Sequence, residues 1–342
     1  MSELFFTQDY GKLYEKMEKG VCEVFKFSHP LGIVHHLFIK REIPFTLAGE
    51  KYYDVITPYG YGGPVIKNCK KGGKSELVRQ FQQAFENYCS KQNIVSEFIR
   101  FHPILKNVED FHEFYETAYM RETTGTTLKD YEDPVASEFS KSARKAIRKA
   151  LKAGVEYRVT VNPASLDSFK EIYYATMKRL DAESYYYFDD TYFDNCLKYF
   201  GGRIVLVEAI FEREVIGTEL HFLCGSFMHT HLSGTVENCS HLSPVYVMTY
   251  AAAIWGKENG VDLIHAGGGV TNNPDDTLYL FKKKFGQNTN FQFHIGKKVW
   301  NPEIYQLLCE EGEVGGDEDF FPAYRAKTSK LFPQEDGILI EQ

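Results

Sequence analysis

Two hydrophobic periods alternate along this chain, and their changeovers mark its elements. Val21 to Phe27 and Gly32 to Arg41 alternate as strands of a hairpin turned at residues 28–32, and Lys51 to Thr57 reads as a third strand. From Ser75 the period lengthens. Leu77, Phe81, Ala84, Phe85 and Tyr88 share one helical face, with Ser75 expected as its cap, and a strand from Ile94 to Phe101 follows. Asp133-Pro134 breaks the pattern before a helix from Ser140 to Ala153, which Gly154 ends, and a strand from Val155 to Val161. Pro163 to Leu180 is amphipathic, with Leu166, Phe169, Tyr173, Met177 and Leu180 inward. The aromatic tract Tyr185–Phe188 after it is most simply packing between domains. A meander comes next (Ile204–Phe211, Val215–Leu223, Phe227–Ser233). Then a helix runs from Pro244 to Glu258, with proline at its first position and Gly260 just past its end. A short strand, Val261–His265, leads to a glycine turn at Gly267, Gly268 and Gly269 and to a lysine-bearing helix, Asp276 to Phe285.

Three antiparallel strands, a helix, a strand and another helix make up the element order of a GNAT-type acyltransferase domain, and the N-terminal half repeats it in outline. The expected class is α+β: two tandem GNAT-like domains, each a central, mostly antiparallel mixed sheet flanked by helices. The expected boundaries are 1–135 and 163–305 for the domains, 136–162 for a basic connecting helix and strand, and 306–342 for a tail, including the acidic run before Phe320, that tells little. A length of 342 residues suits two such cores.

Composition narrows the classes. Hydrophobic content of 43% and charge of 25% describe a folded chain, and a net charge of −8 argues against DNA and bulk nucleic-acid binding while permitting a local basic patch. Seven dispersed cysteines without a Cys-x-x-Cys pair fit reduced thiols. The first residues lack a signal-peptide pattern, and the longest apolar run, near Val245–Trp255, is short of the ~20 residues that span a bilayer. A cytoplasmic location is expected, with peripheral membrane contact open.

Several stretches invite chemistry. The loop from Pro58 to Pro64 places Tyr59 and Tyr61 among Gly60, Gly62 and Gly63, so a backbone can approach a ligand closely there; a structural turn is the equal alternative. Gly73-Lys74-Ser75 suggests a phosphate loop, but Asn68 stands where that motif needs glycine. Arg100 and His102 share a side at a strand end, where they could meet substrate or simply be solvated. The helix from Ser140 carries six basic residues and no acid, with Lys141, Lys145, Arg148 and Lys152 on one face, and phosphates are the natural partner. His229 and His231 lie on one face of a strand, yet no carboxylate or cysteine completes a metal site, so none is expected. His231 or His221 could serve as a general base.

Gly267-Gly-Gly followed by Asp276-Thr-Leu-Tyr-Leu-Phe-Lys-Lys-Lys-Phe-Gly286 resembles the Fem-type transferases, which carry a glycine turn before a Phe-Lys-x-x-Phe helix. Tyr59–Pro64, the Ser-x-x-Arg-x-x-Ile-x-x-Ala helix at Ser140–Ala150 and the meander extend the resemblance over roughly residues 50 to 300. It implies two fused GNAT-like domains and transfer of an amino acid or other acyl group to an amine of a cell-envelope precursor. It places Lys282 at the reacting carbonyl, where a cation stabilises developing negative charge. Tyr59, Tyr61, Gly62, Arg100, Arg144, Arg148, Gly267, Gly268, Gly269 and Phe281 would line the substrate site, with Lys282 and His231 catalytic, and Lys283 and Lys284 exposed or on phosphate. Two departures qualify it: His102-Pro103 replaces an Asp-Pro of muramyl-peptide enzymes, and the pyrophosphate loop of acetyl-CoA enzymes is missing. No tightly bound cofactor is expected; the co-substrate would be aminoacyl-tRNA or acyl-CoA, and the acceptor a small-molecule or lipid-linked envelope precursor. The alternatives are acyl-CoA-dependent N-acylation of a sugar nucleotide, and a non-catalytic anion-binding protein of GNAT fold.

Overall fold

The computed structural model describes residues 4–312 and 320–326, so the acidic run of residues 313–319 and most of the expected tail lie outside the described residues. The chain divides into two compact units, one formed by Phe5–Met120 and the described residues from Phe293 onward, the other by Arg121–Gln292.

The first unit opens with α1 (Gln8–Glu18), capped by the Thr7 hydroxyl, and the hairpin β1 (Gly20–His29) and β2 (Gly32–Leu47). β3 (Glu50–Ile56) pairs with the second half of β2 and β4 (Gly63–Cys69) with the first. α2 (Lys74–Lys91) lays Leu77, Phe81, Phe85 and Cys89 on this sheet. Its cap position is Gly73 with no side chain closing it, so Ser75 does not cap. β5 (Ile94–Arg100) runs parallel to β3, and the short α3 (Val108–Phe111) follows. Two buried polar clusters lock this core. Arg41 donates to Asp54 at 2.7 Å and to Glu18 at 3.2 Å, and Glu97 accepts from Tyr115 and Trp300 beside His36.

The chain enters the second unit within β6 (Glu116–Thr127). There follow α4 (Pro134–Glu138), α5 (Lys141–Lys152), β7 (Glu156–Val161), α6 (Asp167–Arg179) and α7 (Asp190–Tyr199). The meander is β8 (Ile204–Phe211), β9 (Glu214–Cys224) and β10 (Phe227–Thr235). Then come α8 (Pro244–Glu258), β11 (Leu263–Gly268) and α9 (Thr277–Lys283). The sheet order in this unit is β6-β11-β10-β9-β8-β7. The chain leaves through β12 (Asn290–Val299), whose later residues pair with β5 in the first unit, and ends its described helices with α10 (Pro302–Glu311). Among the described residues no helix is long and apolar enough to cross a membrane.

Three local readings change. The basic helix α5 is built into the second unit: Ala143, Ile147 and Ala150 join the core that also holds Val247 and Ala251 of α8. The aromatic tract packs inside the same unit rather than between domains, because Tyr173 donates to the Tyr186 carbonyl at 2.7 Å and Phe188 stacks on Tyr192 of α7. Gly267 and Gly268 extend β11 instead of forming a turn, pairing with Thr124 and Thr123 after a bulge past His265.

Candidate active site

β10 and β11 run parallel, but they pair only from Phe227 to His229 against Leu263 to His265. Beyond that point they part, and a cavity with about 500 Å³ of empty volume, partly open to solvent, opens beneath the sheet. Val245, Thr249 and Ala252 of α8 and Phe281, Lys282 and Phe285 from the α9 segment form one wall. Glu219 and His221 of β9, Thr230, Ile264, Ala266, Gly125 and Thr126 form the other.

Lys282 owes its position to helical spacing. Leu278, Phe281, Lys282 and Phe285 recur at the interval that turns a face inward, so the lysine occupies a core position and is 8% exposed. Its Nζ donates to the Gly268 carbonyl at 2.8 Å. Burial pulls its pKa down from 10.5 to about 8, against the attraction of Glu219 and Asp276 and with Arg121 adding to the fall. Most of the lysine therefore stays charged at neutral pH, as a desolvated cation facing the cavity.

Asp276 fastens the segment after Gly268 to α9. Its Oδ2 accepts from the backbone N–H groups of Val270 and Thr271, both at 2.9 Å, and from the Thr271 hydroxyl, while its Oδ1 caps the helix at Tyr279 N. Burial alone would raise the Asp276 pKa, but these donors outweigh it and hold the carboxyl below its ordinary value. A side chain at Gly269 would put its Cβ 2.1 Å from Asp276 Oδ1, which explains the third glycine. Arg121 Nη1 closes the same loop by donating to the Gly269 and Val270 carbonyls. Below α9, the Gly286 position abuts the Gly125 carbonyl so closely that a Cβ would stand 1.9 Å from it.

His231 is absent from the cavity lining. Thr230 faces the cavity, so its neighbours point to the other side of the sheet. A bulge between Thr230 and Leu232 makes His231 the extra residue of β10. There its Nε2 lies 2.6 Å from the Tyr192 hydroxyl, packed against Phe222, and burial pulls its pKa down to about 3. The imidazole in the cavity wall is His221, with Nδ1 3.3 Å from the Thr230 hydroxyl and Nε2 3.1 Å from Glu219 Oε2.

Other expected residues separate in the same way. Arg144 is spent on the end of α4, donating to the Val135 and Ala136 carbonyls, whereas Arg148, Lys141, Lys145 and Lys152 are exposed. Lys283 and Lys284 are half-buried rather than exposed. Lys283 donates to the Gly286 carbonyl just past its helix, and Lys284 lies over the Phe281 ring. In the first unit Arg100 is buried with its guanidinium on the Thr57 carbonyl, and His102 is buried among the rings of Phe5, Phe6 and Tyr61, so neither is solvated. Gly62 pairs with Arg100 through its N–H; Tyr59 and Tyr61 are half-buried, with the Tyr59 carbonyl accepting from Tyr10. Glu219 escaped the sequence reading, although the signal was present: Glu219 and His221 are polar at period two within the apolar run of β9.

The acetyltransferase (GNAT) domain family matches residues 137–283, which hold α5, the meander, α8 and Lys282. No curated protein sequence matches the chain. Among solved structures it is similar to FemX, at 13% identity and a TM-score of 0.68, covering 89% of this chain and 94% of that one. It is also similar to L-PGS from Bacillus licheniformis, at 11% identity and a TM-score of 0.54 over 84% of this chain and 91% of that one. A C-terminal domain assigned to a lysylphosphatidylglycerol synthetase of Agrobacterium fabrum gives 11% identity and 0.55 over 90% of this chain and 92% of that one. The chain is an acyltransferase of GNAT fold, with its matched GNAT domain in residues 137–283 and a fold like that of FemX along most of its length.

Proposed function

We propose that this chain moves an acyl or aminoacyl group from a tRNA ester or a thioester to an amino group of a cell-envelope precursor. The observation that carries the reading is Lys282, a buried and mostly charged lysine in the wall of an otherwise largely apolar cavity. When an amine attacks an ester, the carbonyl oxygen becomes an oxyanion, and a preorganised cation in a desolvated site lowers that barrier by several kcal/mol. The C–N bond forms, the C–O or C–S bond breaks, and the donor's oxygen or sulfur departs as the leaving group. The amine proton passes to His221, the imidazole in the cavity wall. The exposed Lys141, Lys145, Arg148 and Lys152 face of α5 offers charge complementary to a polyanionic donor. The neighbours named FemX and L-PGS suggest an envelope acceptor and a charged tRNA. Single-turnover transfer to an amine acceptor tests this: Lys282→Met should slow the chemical step by about 100-fold or more, the scale of losing an oxyanion contact. An unchanged rate would remove Lys282 from the mechanism.

A further inference from the structure

The turn after β4, where Asn68 rules out a phosphate loop, belongs to a cationic face of the first unit that the transfer chemistry does not use. In β1 and β2, Phe25, Phe27, Val34 and Phe38 pack towards α2, so Val24, Lys26, Ile33 and His35 point to the other side of the sheet. α1 covers that side at Cys22 and Leu37, which lie against Gly11. Beyond them Lys26 stands opposite His35, and His35 opposite Val65 of β4. Lys67 is the extra residue of a bulge in β4; with Lys26 it adds to the desolvation that lowers the His35 pKa. The Lys70 N–H donates to the Leu31 carbonyl at 2.7 Å, which ties the Lys70-Lys71 turn to the tip of the β1–β2 hairpin. Lys26, Lys67, Lys70 and Lys71 are exposed, and none of the four has an ion-pair partner among the described residues, whereas Lys74 is held by Asp110. No carboxylate on these strands offsets them. β4 has none, Glu23 of β1 is on the α2 side accepting from Tyr88, and Glu42 pairs with Lys51 at the far end of β2. Between the ammonium groups the surface is aliphatic, with Val24, Ile33 and Val65 half-buried and Pro30 exposed at the hairpin tip.

We propose that this face docks the protein on an anionic lipid surface. A chain of net charge −8 is repelled as a whole by such a surface, so attraction has to come from one local face, and that fixes the orientation. Each lysine brought to an anionic leaflet strengthens partitioning about fivefold, and four together strengthen it by roughly several hundredfold. The aliphatic patch favours a bilayer over a nucleic acid. Valine, isoleucine and proline side chains enter the headgroup boundary, whereas single strands are held by stacking on aromatic rings, and the open stretch of these strands carries no Phe, Tyr or Trp. Docking does not depend on the transfer reading; it holds the enzyme where a lipid-linked acceptor resides.

Co-sedimentation with vesicles of phosphatidylcholine, alone or with about 30 mol% phosphatidylglycerol, tests this at ~0.1 M salt. The wild-type chain should bind the mixed vesicles and not the neutral ones, and about 0.5 M salt should release it. Lys26→Gln, Lys67→Gln, Lys70→Gln and Lys71→Gln together should lower the partition coefficient by about 100-fold or more, and either the first or the second pair alone by roughly 30-fold. All four side chains are exposed, so thermal melts of these variants should match the wild type. Lys145→Gln with Arg148→Gln, on α5, should bind vesicles as the wild type does. Binding of both vesicle types alike, binding of neither, a fourfold variant that still binds, or loss of binding through the α5 pair alone would overturn the proposal. A single-stranded RNA oligomer bound by the wild type and lost by the fourfold variant, with vesicles bound by neither, would overturn it in favour of nucleic acid. None of these outcomes alters the case for Lys282.

Discussion

Replacing Lys282 with methionine should make the second unit more stable while disabling it. Methionine keeps the unbranched apolar stem and deletes only the charge and its hydrogen bond. Burial takes the lysine from 10.5 to about 8, so carrying its proton costs the folded state ~3 kcal/mol at neutral pH. The lost Nζ–Gly268 hydrogen bond offsets ~1 kcal/mol of the gain, leaving a net stabilisation of ~2 kcal/mol. For a unit of this size that is roughly 4–8 °C in Tm. The sign with pH follows from the depressed lysine: the folded state binds fewer protons than the unfolded one between pH 8 and 10.5, so wild-type stability rises through that window. The advantage of Lys282→Met should therefore be full below pH 8, shrink above it by about 1.4 kcal/mol per pH unit and reverse at about pH 9.5. Calorimetric melts of both proteins from pH 6.5 to 10.5 measure this. A variant less stable than wild type by ~3–5 kcal/mol at pH 7 would mean that the lysine is half of a stabilising pair with Glu219, and the argument for stored electrostatic strain would fail.

Catalysis should report the same lysine from the other side. Transfer should decline above about pH 8 as Lys282 loses its proton, and the residual rate of Lys282→Met should lack that alkaline limb in a pH-rate profile. Gly286→Ala should destabilise the second unit by roughly 2 kcal/mol or more, measured by denaturant titration, because its Cβ meets the Gly125 backbone carbonyl, which cannot swing aside. Asp276→Asn puts an amide where two backbone N–H groups and a hydroxyl donate. It should cost about 1–3 kcal/mol and raise amide exchange at Val270 and Thr271. Reversing charge at Lys145 and Arg148 should weaken binding of an uncharged tRNA and flatten its salt dependence by about one to two in log–log slope; an unchanged slope would exclude α5 as the anion-binding face.

Much of this was legible in the sequence where one period ran undisturbed. The meander and α8 follow from clean alternation and from the Pro244/Gly260 pair, and Lys282 stands out because it occupies an inward position between Phe281 and Phe285. Tertiary detail hid the rest. Nothing in the composition of α5 distinguishes Arg144 from Arg148, because the difference is the carbonyl end of α4 lying within reach of only one of them. Glu219 has no mark in the sequence that separates it from a solvated strand residue; its burial follows from both faces of β9 being covered. α1, α7, β12 and α10 went unread, though Phe291, Phe293 and Ile295 alternate plainly enough to have marked β12.

The extra residue in β10 has a consequence for comparing this protein with others. Opposite β9, Thr230 faces His221 and Ser233 faces Glu219, three positions apart where an unbroken strand would place them two apart. An alignment to a relative without the bulge therefore needs a one-residue gap at His231. Leaving the gap out would assign every side chain on one side of the bulge to the opposite face of the sheet.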